Sequence, residues 1–117
     1  MEQLASEIFA ILKGANYKLR LFTAAGVKTM DPEEATRFYA YDQDLMVSIR
    51  HDEAKTEVVV QAGEGYDIPR NSKLLGAIKA TAHRNLGEYT VRKFDKAIAP
   101  KDFAHQSVVE SAFGKAY

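Results

Sequence analysis

Leu45-Met46-Val47-Ser48-Ile49-Arg50-His51, then Asp52-Glu53-Ala54-Lys55, then Thr56-Glu57-Val58-Val59-Val60-Gln61-Ala62, is the stretch that decides the fold class. Leu45, Val47 and Ile49 alternate with Met46, Ser48 and Arg50, which is the period of a strand with one buried face. The polar break Asp52 to Lys55 suits a turn. The Val-rich run Glu57 to Ala62 suits a pleated surface, because β-branched side chains pack well there. Together they read as a β-hairpin.

Working towards the N-terminus, Arg37-Phe38-Tyr39-Ala40-Tyr41 can be read as helix or as strand. Asp31-Pro32-Glu33-Glu34 favours a helix start before it: Asp can cap, Pro suits the first helical position, and acids suit the positive end of the helix dipole. The reading preferred is a short helix ending near Tyr39. Tyr17 to Thr23 alternates Tyr17, Leu19 and Leu21 against Lys18 and Arg20. With the Ala24-Ala25-Gly26 turn and Val27 to Met30 it forms a first hairpin. Residues 2 to 13 place Leu4, Ile8, Ile11 and Leu12 on one helical face, with Gly14 and Asn16 as the stop.

Towards the C-terminus, Gly63 to Pro69 is a loop. A helix is expected from about Asn71 or Ser72 to Leu86, closed by Gly87, with Leu75, Ile78, Ala82 and Leu86 as its buried stripe. Glu88 to Phe94 follows as a strand, Ile98-Ala99-Pro100 as a break, and Asp102 as the cap of a final helix. Hairpins dominate this order and no βαβ alternation is read in it. The expected fold is α+β: a mainly antiparallel sheet of about four to five strands with helices packed on one face. Residues 1–100 are expected to form a single domain. Residues 101–117 are a C-terminal helix or tail, or the start of a longer protein.

The 117 residues are 46% hydrophobic and 27% charged, an ordinary globular composition for one domain. There is no Cys, so disulfides, thiolate-bound metals and thiol catalysis are excluded. Glu2 and Glu7 stand where a secretory signal would carry cations, and the run Ile8 to Leu12 is too short for one. Nothing approaches the ~20 apolar residues of a spanning helix. A soluble, cytoplasmic product with no membrane partner is expected.

The 16 basic and 16 acidic side chains cancel, but not locally. Residues 1–65 hold 7 basic and 11 acidic side chains, and residues 66–117 hold 9 and 5. No acid lies between Asp67 and Glu88. Arg70, Lys73 and Arg84 are expected opposite the apolar stripe of the main helix, with Lys79 beside them and Arg92, Lys93 and Lys96 following. Such a face could rest on phosphates, or it could be a solvated face that pairs with the acidic half. Tyr17 to Phe22, Arg37 to Tyr41 and Tyr89 to Phe94 set aromatics beside cations, as single-strand-binding platforms do, although strands favour aromatics in any case.

Other constellations carry less. Gly63-Glu64-Gly65 precedes a helix but lacks the third Gly and the Lys-Ser/Thr of phosphate loops, and Glu64 would repel an anion. His51, His83 and His105 lack metal-ligand spacing, so no metal and no cofactor is expected. No paired carboxylates or nucleophile–base arrangement argue for an enzyme. Val108, Val109, Ala112 and Phe113 would form the apolar face of the last helix, which packs on the domain or meets a partner.

Val27-Lys28-Thr29-Met30-Asp31-Pro32-Glu33-Glu34-Ala35-Thr36-Arg37-Phe38-Tyr39 and the run Arg70 to Lys101, with Asn71-Ser72-Lys73-Leu74-Leu75 and Glu88-Tyr89-Thr90-Val91-Arg92, resemble the N-terminal part of uncharacterised proteins of marine tailed bacteriophages. The resemblance implies a phage-encoded product in the host cytoplasm and transfers no site residue. The expected function is a non-enzymatic interaction or assembly module that self-associates or docks on a protein partner through the C-terminal helix. The alternative is a nucleic-acid-binding module built on the basic helix 70–86 and the strand after it.

Overall fold

The computed structural model describes residues 2–93. Helix α1 spans Glu2–Gly14 and buries Leu4, Ala5, Ile8 and Leu12, the face that its apolar spacing dictates. Asn16 closes it in the left-handed region, φ 64°. The Asn16 and Tyr17 N–H groups donate to the carbonyls of Lys13 and Leu12 at 2.9 and 3.2 Å. This is a Schellman turn, which satisfies carbonyls the helix end would otherwise leave unpaired.

Strand β1 (Leu19–Phe22) and the two-residue β2 (Lys28–Thr29) form the first hairpin. A single 3-10 turn, Pro32–Glu34, follows, with the Glu33 N–H donating to the Asp31 carboxylate at 3.0 Å. The helix expected to run on to Tyr39 is not formed. Ala35 is already extended, at ψ 140°, and Arg37–Ala40 is strand β3. All four residues of β3 are buried: the strand is paired on both edges by β1 and β4, Phe38 and Ala40 lie in the core under the helices, and Arg37 and Tyr39 are buried on the other face. A strand buried on both faces shows no polar–apolar alternation, which is why the sequence left the segment open.

Strands β4 (Leu45–His51) and β5 (Thr56–Ala62) form the second hairpin, in register from Leu45↔Ala62 to His51↔Thr56. Helix α2 (Ser72–Arg84) and strand β6 (Gly87–Lys93) complete the described chain. Among the described residues the sheet has six strands, in the order β2-β1-β3-β4-β5-β6. Every pairing is antiparallel except β5 with β6, which is parallel. The fold is thus α+β with a mainly antiparallel sheet, one strand larger than expected. One β–α–β crossover, not anticipated from the sequence, joins β5 to β6. Helix α2 is long enough to make it, since 13 residues at ~1.5 Å each return the chain by about the length of a seven-residue strand.

Leu21, Phe38, Leu45, Val47, Ile49, Val58 and Val60 face α1 and α2, whose Leu4, Ile8, Leu12, Leu75, Ile78 and Ala82 complete one core. The opposite sheet face carries Phe22, Tyr39, Met46 and Val59, also buried, with Arg37, Ser48 and Gln61 among them.

The end of α2 departs from expectation. The helix stops at Arg84, and Leu86, assigned to the buried stripe, is 92% exposed. It occupies the left-handed position, φ 60°, with its N–H on the His83 carbonyl at 3.0 Å. Gly87, expected to stop the helix, is instead the first residue of β6. A Cβ there would lie 3.2 Å from the Ala82 carbonyl oxygen and 3.4 Å from that of Thr56. Glycine is needed for the close approach of helix end and β5, while the strained dihedral falls on Leu86. Replacement Leu86→Gly is therefore expected to raise stability by about 1 kcal/mol, read by urea denaturation. Loss of stability in that variant would contradict this account of the helix end.

Candidate interaction surface

Among the described residues strand β6 lies at one edge of the sheet, bonded to β5 only, and Glu88, Thr90, Val91, Arg92 and Lys93 are exposed. At seven residues it is a long edge, a row of backbone donors and acceptors open to a further strand. The opposite edge is the two-residue β2, a short edge of the kind that resists strand addition. Alternation sorts the β6 side chains. Register with β5 puts Tyr89, Val91 and Lys93 on the helix-covered face, beside Val58, Val60 and Ala62. Glu88, Thr90 and Arg92 lie on the other face, beside Glu57, Val59 and Gln61.

Along this edge α2 and β6 flank a shallow, open groove of about 280 Å³, lined by Ile68, Pro69, Ser72, Leu75, Gly76, Lys79, Tyr89 and Val91. Its floor is apolar. Gly76 has nothing within 4 Å of where a Cβ would stand, so the groove is open at the helix. Burial pushes the Tyr89 hydroxyl above the ordinary phenolic range.

The six candidate phosphate contacts do not share one surface. Arg70 precedes α2, its N–H bonded to the Asp67 carboxylate at 3.0 Å. Lys73 is exposed on α2. Lys79 lines the groove, while Arg92 and Lys93 point to opposite faces of β6. Arg84 is exposed but reaches across to α1, where its guanidinium binds the Glu7 carboxylate, and it also donates to the Thr81 hydroxyl at 2.8 Å. Asn85 also donates to Glu7, at 3.3 Å. The Arg84 hydrogen bond, helped by Asn85, holds the Glu7 carboxyl down to about 2. At this helix pair, the basic segment meets the acidic N-terminal half of the same chain.

The aromatics set beside cations in the sequence are largely taken up in packing. Tyr17, Phe22, Phe38 and Tyr39 are buried. Tyr41 lies under Arg20, 4.6 Å from its guanidinium carbon to the ring centroid. The Tyr17 hydroxyl meets that of Tyr66 at 3.0 Å and donates to Asn71 at 3.3 Å. Burial, then the Tyr17 contact, raises the Tyr66 hydroxyl well above its ordinary value. The Asn71 side chain, spent on Tyr17 and on the Asp67 carbonyl, makes no cap for α2.

The glycine loop holds an anion, and it is the protein's own. Asp44, in the left-handed region at φ 58°, accepts the Gly65 N–H on its carboxylate at 3.0 Å, and its carbonyl accepts the Gly63 N–H at 2.8 Å. A Cβ on Gly63 would lie 2.2 Å from that carboxylate. The loop's Gly63 and Gly65 N–H groups are thus taken by Asp44 of the same chain. Neither spacing nor composition linked Asp44 to a loop 19 residues further on, because the pairing of β4 with β5 brings them together.

His51 Nδ1 is 2.8 Å from the Thr56 hydroxyl at the hairpin. Among the described residues no group of three or more His, Cys, Asp and Glu is placed to hold a metal ion, and no helix is long and apolar enough to cross a membrane. Val108, Val109, Ala112 and Phe113, with Lys96, Asp102 and His105, lie outside the described residues. Comparison with models of known protein families, with curated proteins and with solved structures finds no match.

Two outcomes follow for this region. Glu7→Gln is expected to cost up to about 1 kcal/mol at neutral pH, as exposed ion pairs do. Because the folded pKa lies below the unfolded one, that difference persists above the ordinary carboxylate pKa. It fades as pH falls from there through about 2. A wild-type-minus-variant difference independent of pH, measured by denaturation across this window, would contradict the Glu7–Arg84 assignment. Gly63→Ala is expected to cost about 1–3 kcal/mol through loss of the charged hydrogen bond, and markedly less in an Asp44→Gly background. Equal costs in both backgrounds would show that Asp44 is not what the glycine accommodates.

Proposed function

We propose that the chain is a non-enzymatic interaction and assembly module, phage-encoded and self-associating. The observation that carries this reading is the long, exposed β6 edge bordered by an apolar groove. An open edge of this length tends to pair with another chain unless it is blunted, and an apolar groove beside it supplies the burial that backbone pairing alone lacks. The phage origin is supported by the resemblance carried on Val27 to Tyr39 and Arg70 to Lys101.

Fewer observations support the nucleic-acid reading. Arg84 is engaged by Glu7, and Arg92 projects to the sheet face away from α2. The cations that would follow a phosphate backbone are divided between surfaces.

Light scattering over about a hundredfold range of concentration, beside fluorescence anisotropy with labelled DNA and RNA at about 50 and 200 mM salt, separates the readings. A mass that rises with concentration and no salt-sensitive anisotropy change is the expected result. A monomer at every concentration that binds nucleic acid steeply at low salt, and loses that binding in Lys73→Glu, would replace the assembly reading with the other.

A further inference from the structure

The partner that fits the β6 edge is written in β6 itself. Residues Gly87–Lys93 read Gly-Glu-Tyr-Thr-Val-Arg-Lys. Laid antiparallel against a second copy and centred on Thr90, Glu88 stands opposite Arg92, Tyr89 opposite Val91, and Thr90 opposite Thr90. Opposite charges, an aromatic with a β-branched residue, and Thr with Thr are the cross-strand pairs that favour association. The two-fold symmetry makes each heterotypic pair occur twice.

The faces agree as well. Directly opposed residues in an antiparallel pair point to the same side. Tyr89 and Val91 both lie on the helix-covered face, and Glu88, Thr90 and Arg92 all lie on the other. Both copies of α2 therefore fall on one side of a continuous sheet, and the apolar groove of each copy faces the other across the seam. Val91, 36% exposed beside that groove, is covered by the partner. Centring the pair on Tyr89 or on Val91 also keeps the faces matched, but sets Glu88 opposite no cation within Gly87–Lys93.

The charges are available. Glu88 already accepts Lys55 at 3.0 Å on one carboxylate oxygen, with both side chains about half exposed, and its second oxygen can take Arg92 of the other copy. Arg92 meets no acid among the described residues. Lys55 and Glu88 sit at the end of the sheet where β5 begins, and Arg92 sits towards the other end. An antiparallel arrangement is the one that brings Glu88 and Arg92 together.

We infer that the chain forms a homodimer by antiparallel pairing of β6 with β6, centred on Thr90, which joins two six-stranded sheets into one. This rests on the assembly reading and specifies its partner as a second copy. Sedimentation equilibrium on the full chain is expected to give twice 13.0 kDa at high concentration. Glu88→Arg or Arg92→Glu alone places two like-charge pairs at the seam and is expected to weaken the dimer on the order of tenfold. The double variant Glu88→Arg/Arg92→Glu is expected to recover it. Association unchanged by either single variant, or weakened by both without recovery in the double, overturns the register while self-association still stands. A monomer at every concentration overturns the dimer and removes the self-association on which it rests.

Discussion

A strand that enters a sheet parallel to its neighbour cannot be reached by a tight turn. It needs a crossover that carries the chain back to the starting end of the sheet. Here that crossover is α2, and much of the molecule is arranged around it. The helix needs a cover for Leu75, Ile78 and Ala82, and the sheet face shared with α1 supplies it. Its end needs to come close to β5, which Gly87 permits and for which Leu86 takes the unfavourable dihedral. Its outer flank is left beside the last strand, which makes the groove. Because β6 is laid on the outside of β5, the sheet ends on a long, accessible strand, whereas at the other end it tapers to two residues.

The electrostatics follow from the same arrangement. A neutral total concealed an acidic front and a basic rear, and the fold brings parts of the two together. Glu7 of α1 meets Arg84 and Asn85 at the end of α2. Lys55 of the hairpin meets Glu88 of β6. Asp44 fills the glycine loop from within. The two ion pairs fix how helices and hairpin sit together more than they add to stability, since exposed pairs contribute little. Among the described residues, what is left uncommitted at β6 is its outer backbone edge, the cations Arg92 and Lys93, and an apolar groove.

The strands with alternating patterns were legible from the residues alone. Leu45 to Ala62 gave a hairpin with nearly its observed limits, and the spacing of Leu4, Ile8 and Leu12 gave the buried face of α1. Legibility failed where a local rule was overridden from a distance. Arg37 to Ala40 carries a helix-start signal just before it, but pairing on both sides makes it a strand. Gly87 follows a helical pattern and reads as its stop, but its role is set by the carbonyls of Ala82 and Thr56. The parallel pairing is not legible in the residues, because strand patterns are alike in either direction. Of the candidate site, the cations were visible in the sequence but their division between faces was not. The groove exists only once α2 has been laid beside β6.

The parallel pairing also imposes an order in time. As the chain leaves the ribosome from its N-terminus, β4 and β5 can close on each other as soon as their short turn is made, because the contact is local. The outer side of β5 then has no strand to bond until α2 and β6 have both been made, since Thr56 waits for Gly87. During that interval Val58-Val59-Val60 is an apolar strand with one bare edge, the kind of segment that aggregates with its copies. Speed of synthesis through α2, and prompt folding of that helix, thus govern how long the young chain is exposed to its neighbours.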